Sequence, residues 1–419
     1  MRVAIVGGGA AGFFMAIQVK YTCPDAEVII LERSSKVLTK VSISGGGRCN
    51  VTNSFAEVSD LKYVYPRGHK LLKRLFKIFN HEQAYEWFEA HDVPLTTQED
   101  QCVFPKSQDA QSIIRCFLRL SQQLGIIIRY HHTVLDIESI THPNGSPMYK
   151  ILCKEPTAQL PLFDKVAITT GGSPRIDGLR YLERLGHKIE HPLPSLFTFN
   201  LPNDNIRSLM GTVVENAIAS IPGTKFKCQA PLLVTHWGMS GPAILKLSSH
   251  AARYISESAY SFPLLVNWTG NNDANQIAEE LADIIQQNPQ KKLSSLHPFE
   301  LPTRLWVHLM EKTSISVEKK CNELTRKELN KMVNTLCNDE YRVQGKGAFR
   351  DEFVTCGGVS LECINYNTME SKVCPNLFFA GEVLDIDGVT GGFNFQAAWT
   401  TAYVAALNIG KDTEPLEQQ

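Results

Sequence analysis

The clearest pattern of apolar and polar positions lies at the amino terminus of the chain. An apolar run at 3–6 is followed by a cluster of glycines and then by a helical run from Phe13 to Tyr21. A second apolar run, Val28 to Leu31, comes next. Short apolar strands on either side of a helix are typical of a βαβ unit with a parallel sheet. The pattern therefore predicts an α/β fold that begins with the first residues.

The glycines of this unit have the spacing of a dinucleotide-binding fingerprint. Gly7, Gly9 and Gly12 form G-x-G-x-x-G between the strand and the helix, and Glu32 ends the second strand. In this motif the glycines allow a tight turn, a close approach of backbone to a pyrophosphate, and contact between helix and strand. The acid at about this distance binds ribose hydroxyls. FAD and NAD share the fingerprint, so it predicts a dinucleotide without choosing between them.

Three later segments favour FAD. "DKVAITTGG" (164–172) predicts a further strand that ends at the cofactor, and "NLFFAGEVLDIDGVTGGFNF" (376–395) reads as strand, acidic loop and helix. Glu382 and Asp385 can accept hydrogen bonds from ribityl or ribose hydroxyls, and the helix that opens at 391–392 can stabilise negative charge on a reduced flavin. In "SISGGGRCNVTN" (42–53), Arg48 can pair with phosphate and Asn50 can bind the ribityl chain or the ring. A flexible surface loop is the alternative interpretation of that stretch.

The apolar pattern changes between about 190 and 350. Short β-like runs such as "KFKCQAPLLVTH" and "YSFPLLVNWTG" are followed by charged helical patterns such as "NQIAEELADIIQQ". These runs predict an antiparallel barrel or sandwich with a small helical part. We expect an FAD-binding domain at 1–190 and 351–411, an inserted substrate or cap domain at 191–350, and a tail at 412–419.

Composition narrows the class of protein. The chain has 419 residues, a net charge of −1 and 43% apolar residues, which is typical of a soluble protein with more than one domain. The charge gives no support for a nucleic-acid partner, although a local patch stays open. The eleven cysteines lack zinc spacing, so we expect no metal and reduced thiols in the cytoplasm. Apolar runs are too short for a membrane span.

Several motifs match a known family along nearly the whole chain. "AIVGGGAAG", "SGGGRCNVTN", "LLVTHWGMSGPAIL", "VTCGGVSLE" and "GEVLDIDGVTGGFN" resemble the bacterial FAD-dependent flavoproteins related to BaiN, a bile-acid reductase, and to aminoacetone oxidase. The resemblance implies a Rossmann-like FAD domain of the glutathione and fumarate reductase type, split by a β-barrel and a helical subdomain. It implies FAD contacts at Gly7, Gly9, Gly12, Glu32, Lys40, Arg48, Asn50, Val134, Gly171, Glu382, Asp385, Gly392, Phe393 and Asn394.

Two departures limit what the resemblance implies on the substrate side. Gln101 and Cys102 stand where the family usually has Gly-Arg before "VFP". After "TTGG" the chain runs almost directly into a helix instead of a longer loop rich in small residues. The catalytic residues stay unknown. His236 is a candidate for substrate contact, and a structural histidine near the helix that starts at Pro242 is the alternative.

The predicted function is hydride transfer at the flavin N5 of non-covalent FAD with a small organic substrate. A reductase of an activated double bond, an amine-type oxidase that uses oxygen, and a non-catalytic FAD sensor or assembly protein stay open at this point. The sequence has no second G-x-G-x-x-G. NAD(P)H, if it is the donor, therefore has to visit the flavin transiently as a co-substrate.

Overall fold

The computed structural model describes residues 1–141, 147–154, 160–347 and 354–411. These residues form two compact units, one built from 1–193 with 354–411 and the other from 194–347. The predicted tail at 412–419 and the predicted boundary at 350/351 lie outside the described residues. Each unit is described below by itself.

Both units contain strands and helices. The described strands are β1 (Arg2–Val6), β2 (Glu27–Leu31), β3 (Thr52–Asn53), β4 (Leu95–Thr97), β5 (Cys102–Pro105), β6 (Ile127–Arg129), β7 (Val134–Thr141), β8 (Pro147–Cys153), β9 (Lys165–Ile168), β10 (Ile189–Ser195), β11 (Phe199–Asn200), β12 (Val213–Ser220), β13 (Lys227–Val234), β14 (Gly238–Ser240), β15 (Ser261–Asn267), β16 (Asp339–Gln344), β17 (Val354–Val359) and β18 (Leu377–Phe379). The described α-helices are α1 (Ala10–Thr22), α2 (Thr39–Gly47), α3 (His69–Leu75), α4 (His81–Ala90), α5 (Gln111–Gln123), α6 (Arg180–Arg184), α7 (Pro242–His250), α8 (Ala252–Glu257), α9 (Ala274–Gln287), α10 (Thr303–Lys312), α11 (Arg326–Cys337) and α12 (Phe393–Ile409).

A five-stranded parallel sheet organises the first unit. Its strand order is β18-β9-β1-β2-β6, and each neighbouring pair is parallel. The three central strands, β9, β1 and β2, are almost entirely buried, as expected for a sheet covered on both faces. Because all five strands point the same way, the loops that follow β1, β2, β9 and β18 meet at one edge of the sheet. The predicted Rossmann-like fold is confirmed.

Two apolar helices hold this sheet from one side. α1 is buried from Ala11 to Val19, and α12 buries most of its length. The two helices pack together, and the ring of Phe14 in α1 lies 5.4 Å from that of Trp399 in α12. A helix that is apolar on all sides has to be buried. This packing fixes the amino end of α12 relative to the turn between β1 and α1.

The second unit is an antiparallel sheet that nearly closes on itself. Its strand order is β11-β14-β13-β12-β15-β16, and the backbone of Asn200 donates to the carbonyl of Gly345, at 3.1 Å, where the first and last strands meet. β16 alternates buried and exposed positions, so one face of the sheet lies inward. Residues of α7, α9, α10 and α11 contribute to the same apolar core. The predicted β-barrel with a helical part is confirmed.

Three other properties concern the whole of the described chain. None of its helices is both long enough and apolar enough to cross a bilayer. It contains no cluster of three or more His, Cys, Asp or Glu side chains that could hold a metal ion. All eleven cysteines are free thiols.

Candidate cofactor site

The turn between β1 and α1 is built from backbone. Gly7 has a φ of +115°, and its N–H donates to the carbonyl of Leu31 at 2.9 Å. A Cβ on Gly12 would lie 2.0 Å from the carbonyl oxygen of Gly7, so a side chain has no room there. A Cβ on Gly9 would meet no described atom within 4 Å. The open space beside Gly9, at the uncapped start of α1, suits a pyrophosphate.

Glu32, which is predicted to contact the adenosine, lies directly after the end of β2. Glu32 Oε2 accepts from Gly8 N at 2.9 Å, and Oε1 accepts from both the N–H and the hydroxyl of Ser34 at 2.8 Å. The backbone of His132 donates to the Glu32 carbonyl at 2.8 Å, which brings the start of β7 at Val134 beside it. Oε1 thus uses both of its lone pairs on Ser34, whereas Oε2 keeps one, so a ribose hydroxyl can still donate to Oε2 of Glu32.

The loop after β9 lies beside the turn between β1 and α1, the phosphate turn, where the pyrophosphate is predicted. The hydroxyl of Thr169 donates toward the carbonyl of Gly7 at 3.0 Å. Gly171 has a φ of +73°, which favours glycine. A Cβ on Gly172 would lie 2.5 Å from Glu382 Oε1. The loops that follow β1, β9 and β18 therefore lie close together here, and their glycines leave the backbone uncovered by side chains.

Two carboxylates follow β18. Glu382 Oε2 accepts from Lys40 Nζ at 2.9 Å, and its other oxygen accepts from Thr355 N at 2.8 Å. Asp385 Oδ1 accepts from Gly357 N at 3.1 Å. Lys40, Glu382 and Asp385 were chosen from sequence as FAD contacts, and the fold brings the first two into direct contact. The ion pair places a cation and an acceptor side by side at the edge of the sheet.

The loop at 44–53 contains four residues with left-handed backbone, three of them glycines. Gly45, Gly46 and Gly47 have φ values of 56°, 68° and 85°, and they interrupt α2. The guanidinium of Arg48 lies 4.2 Å from the centre of the Phe104 ring, and its Nε donates to the carbonyl of Gly45 at 3.0 Å. Arg48 is therefore held by the loop itself. Pairing of Arg48 with a phosphate stays a prediction.

Cys49 lies in the same loop and is fully buried, with a φ of +62°. Burial raises the pKa of its thiol to about 12. The thiol is therefore protonated near neutral pH and is a poor nucleophile. These properties favour a packing residue over a redox-active one.

Asn50 joins this loop to the start of α12. With its nitrogen facing carbonyls, the Asn50 amide donates to the carbonyl of Thr52 at 2.8 Å and accepts from Gly392 N at 3.1 Å. Asn53 Nδ2 donates to the carbonyl of Gly391 at 3.1 Å, across 338 residues of sequence. The loop at 44–53 and the segment at 376–395, both predicted to bind the flavin, are therefore held together by hydrogen bonds.

The amino end of α12 carries no capping side chain and no acidic residue in its first turn. Gly392 has a φ of +87°, and a Cβ there would lie 2.3 Å from the carbonyl of Thr52. Phe393 begins the helix, and the Asn394 amide both accepts from and donates to the backbone of Gly388, at 2.8 and 2.9 Å. The amide of Asn394 thus orders the loop that precedes α12. The free N–H groups of the first turn remain as donors for a ligand.

Sequence reasoning missed several residues that hold these segments together. The hydroxyl of Thr52 donates to Gln396 Oε1 at 2.6 Å, and Gln396 is fully buried. Arg67 forms a two-pronged ion pair with Asp387, which is also fully buried. The hydroxyl of Tyr65 donates to the first carbonyl of α12 at 2.8 Å. An amide within an otherwise apolar helix was the one available signal, at Gln396.

These donors fit FAD. The amino ends of two helices, α1 and α12, carry no capping side chain, and they favour a pyrophosphate and a reduced flavin ring, respectively. Carboxylates between them can accept from hydroxyl groups of the cofactor. The residues present would hold the adenosine near Glu32, the pyrophosphate near Gly9 and the ring near Asn50.

His236 belongs to the second unit, in the turn before β14. Its carbonyl accepts from Arg207 Nε at 2.7 Å, and its ring meets the Trp237 ring edge-on at 4.3 Å. It lines an open groove with Arg207 and Asp204. α7 begins at Pro242, as predicted. A substrate contact by His236 stays a prediction.

The fold and this site together define a flavoprotein of the Rossmann type that is found in flavin-dependent oxidoreductases. The chain belongs to the HI0933-like family of Rossmann-domain proteins, whose family description matches residues 1–408. The predicted family resemblance is confirmed.

Known proteins of similar length agree with this assignment. The chain is 28% identical to a ribosomal RNA dihydrouridine synthase of Haemophilus influenzae, over 97% of this chain and 98% of the relative. It is 24% identical to a 3-dehydro-bile acid delta(4,6)-reductase of Clostridium scindens, over 96% and 98%. The structure of a 3-ketosteroid delta1-dehydrogenase from Sterolibacterium denitrificans matches with a TM-score of 0.52 and 11% identity, over 97% and 99% of the two chains. That last likeness concerns the fold alone.

Proposed function

We propose that this chain is an FAD-dependent reductase that saturates a carbon–carbon double bond conjugated to a carbonyl group, with NAD(P)H as a transient electron donor. The observation that carries the proposal is the hydrogen bond by which Asn50, in the loop at 44–53, accepts from the N–H of Gly392. This bond holds the loop against the uncapped start of α12. FAD, when bound there, supplies hydride transfer at its N5.

The names of the two relatives support this reaction type. One denotes formation of dihydrouridine in ribosomal RNA, and the other denotes a delta(4,6)-reductase of a 3-dehydro-bile acid. Both reactions add hydrogen across a carbon–carbon double bond. In uracil, as in an unsaturated ketone, the double bond lies next to a carbonyl that withdraws electrons. An activated alkene is therefore the shared substrate chemistry.

The residues of the chain would orient and tune the cofactor. The N–H groups at the start of α12 favour negative charge nearby, which assists acceptance of electrons by the ring. Asn50 fixes the distance between that helix and the loop at 44–53. The ion pair of Lys40 with Glu382 holds the acid that would accept from cofactor hydroxyls. Glycines 45–47 leave the loop backbone bare, so the chain can approach the cofactor closely.

We further propose that FAD is bound without a covalent link. Cys49 lies within the loop at 44–53, and burial raises the pKa of its thiol to about 12, so the attacking thiolate is scarce. Acid precipitation of the purified yellow protein is expected to leave a colourless pellet and a yellow supernatant. Colour retained in the pellet would contradict non-covalent binding.

The reaction is tested by anaerobic stopped-flow spectroscopy of the FAD-loaded protein. NADH or NADPH is expected to bleach the flavin absorbance, and cyclohexenone is expected to restore it. Cyclohexanone, which lacks the double bond, is the matched control and should leave the flavin reduced. The Gly9→Val protein mixed with free FAD controls for reaction by flavin that is not bound at the site.

Other outcomes identify the alternative functions. Bleaching by amines with recovery on addition of oxygen alone would indicate an amine-type oxidase. A flavin that no donor reduces would indicate a non-catalytic FAD-binding protein. Either result would overturn the proposed reductase.

A further inference from the structure

A run of positive side chains lies on the first unit beside the candidate cofactor site. Between Asp60 and Glu82 the sequence has no acidic residue. We define the basic surface as the exposed side chains of this run that carry a positive charge, together with one exposed tyrosine ring. Its members are Lys62, Tyr63, Lys70, Lys73, Arg74 and Lys77.

The cations of this surface lie mainly on one face of α3. Positions 70, 73, 74 and 77 are spaced as one helical face, and the turn continues past the helix, since Ile78 N donates to the carbonyl of Leu75 at 2.8 Å. Leu71, Leu72 and Leu75 are buried on the opposite face. The apolar face therefore anchors α3, and the charged face is left to solvent.

Folding explains this arrangement of charge only in part, since Lys73 and Arg74 lie in the last turn of α3, where the helix dipole favours a cation. Lys70, Lys73, Arg74 and Lys77 form no salt bridge with any carboxylate in the described part of the chain. Lys70 is in the first turn of α3, where the helix dipole disfavours a cation and no acid compensates. Like charges three and four residues apart also repel. The repulsion among these four cations is not relieved by an ion pair in the described part of the chain, and an anionic ligand would relieve it.

The basic surface is tied rigidly to the flavin segment. The chain enters α3 through Arg67 and Gly68. Arg67 is paired with buried Asp387, and the backbone at Gly68 lies against Ile386, so closely that a Cβ would be 2.6 Å from that side chain. Both partners belong to the acidic loop that precedes α12. A ligand held on α3 is therefore held at a fixed position relative to the predicted flavin.

We propose that the basic surface binds the phosphate backbone of single-stranded RNA. This inference rests on the proposed function, because it selects a nucleobase as the source of the activated double bond. A row of cations follows a phosphate backbone, and an aromatic ring that is exposed among them can stack on a base. Tyr63 has 58% of its surface exposed, next to Lys62. The net charge of −1 averages over the whole chain and conceals this patch.

The test compares two variants that each lose three positive charges. The first carries Lys70→Ala, Lys73→Ala and Lys77→Ala in the basic surface. The second carries Lys225→Ala, Arg326→Ala and Lys327→Ala, three exposed positions of the second unit. FAD content and the thermal transition are checked first, so that a folding defect is recognised. The FAD-loaded proteins are then titrated into a fluorescently labelled, uridine-containing RNA oligonucleotide of mixed sequence at several KCl concentrations.

The first variant is expected to bind RNA about tenfold more weakly or worse at low salt, and its slope of log affinity against log salt should fall by about two. The second variant should match the wild type. Equal binding by the wild type and the first variant would overturn the proposal. So would equal weakening of both variants, or a wild type that ignores RNA and binds phosphatidylglycerol vesicles. Failure of the reductase itself is detected separately, because cyclohexenone then fails to reoxidise the flavin whether or not RNA binds.

Discussion

The turn at 7–12 and the loop at 44–53 both bring bare backbone to the predicted cofactor, but they are held in place differently. The turn is fixed mainly by contacts within its own segment, such as Gly12 against the carbonyl of Gly7, with one further bond from Thr169 after β9. The loop is fixed by Asn50 and Asn53, which reach backbone near the other end of the chain. Substitutions in the turn therefore test mainly local contacts, whereas substitutions in the loop test contacts that form only in the complete tertiary fold.

The largest effect is expected from Gly12→Val. The added side chain would overlap the carbonyl of Gly7, 2.0 Å away, in a fully packed part of the unit. We expect a destabilisation above about 4 kcal/mol, which is near the whole stability of many domains. The measurement is soluble yield together with the urea midpoint of any soluble protein. A variant that folds normally and binds FAD would show that α1 does not need this close contact.

Gly9→Val tests the same turn without the overlap. Because a Cβ at position 9 meets no described atom within 4 Å, the protein is expected to fold. The side chain would fill the space predicted for the pyrophosphate, so FAD should be nearly absent from the purified protein. Absorbance ratios measure occupancy, and the thermal transition should fall by the amount that bound ligand contributed. Normal occupancy would mean that the turn does not hold the cofactor.

Asn50→Ala tests the long-range connection. The substitution leaves Gly392 N and the carbonyl of Thr52 without their partner, and each unsatisfied buried group costs about 1 to 3 kcal/mol. Because two groups lose their partner, we expect FAD to bind about a hundredfold more weakly or worse, with the sheet intact by circular dichroism. Asn50→Asp is the matched control, since it keeps an acceptor for Gly392 N and loses the donor. If both variants bind FAD like the wild type, the connection is not needed for binding.

Glu32→Ala is expected to have the smallest effect of the four. It removes a charge-assisted contact with ribose hydroxyls, about 1.5 to 3 kcal/mol, which corresponds to about ten- to a hundred-fold in affinity. FAD should still bind at high concentration. Because Glu32 also accepts from Gly8 and Ser34, Glu32→Gln separates the loss of charge from the loss of these bonds. Fluorescence titration gives both affinities, and an unchanged value in both variants would exclude the ribose contact.

The same comparison explains what the sequence could predict. The strand, turn, strand and acid at 2–32 form within one short segment, so periodicity and glycine spacing were sufficient to find them. The strands and charged helices of the second unit were also local patterns. The ion pair of Arg67 with Asp387 and the bond of Thr52 to Gln396 span 320 and 344 residues. A single sequence can mark Gln396 as unusual in its helix, but it does not show which residues pair, because the partners become neighbours only when α12 packs on the sheet.

The order of the strands also has a consequence for how the protein folds during its synthesis on the ribosome. The phosphate turn and four of the five sheet strands are synthesised before residue 170, while β18 and α12 are made after the whole inserted unit. Until residues 377–409 emerge, β9 is an open edge and the loop at 44–53 lacks the partners that hold it. Domains generally fold as units during synthesis, and an unpaired edge invites misassembly. The nascent chain is therefore expected to retain FAD only after α12 has been synthesised.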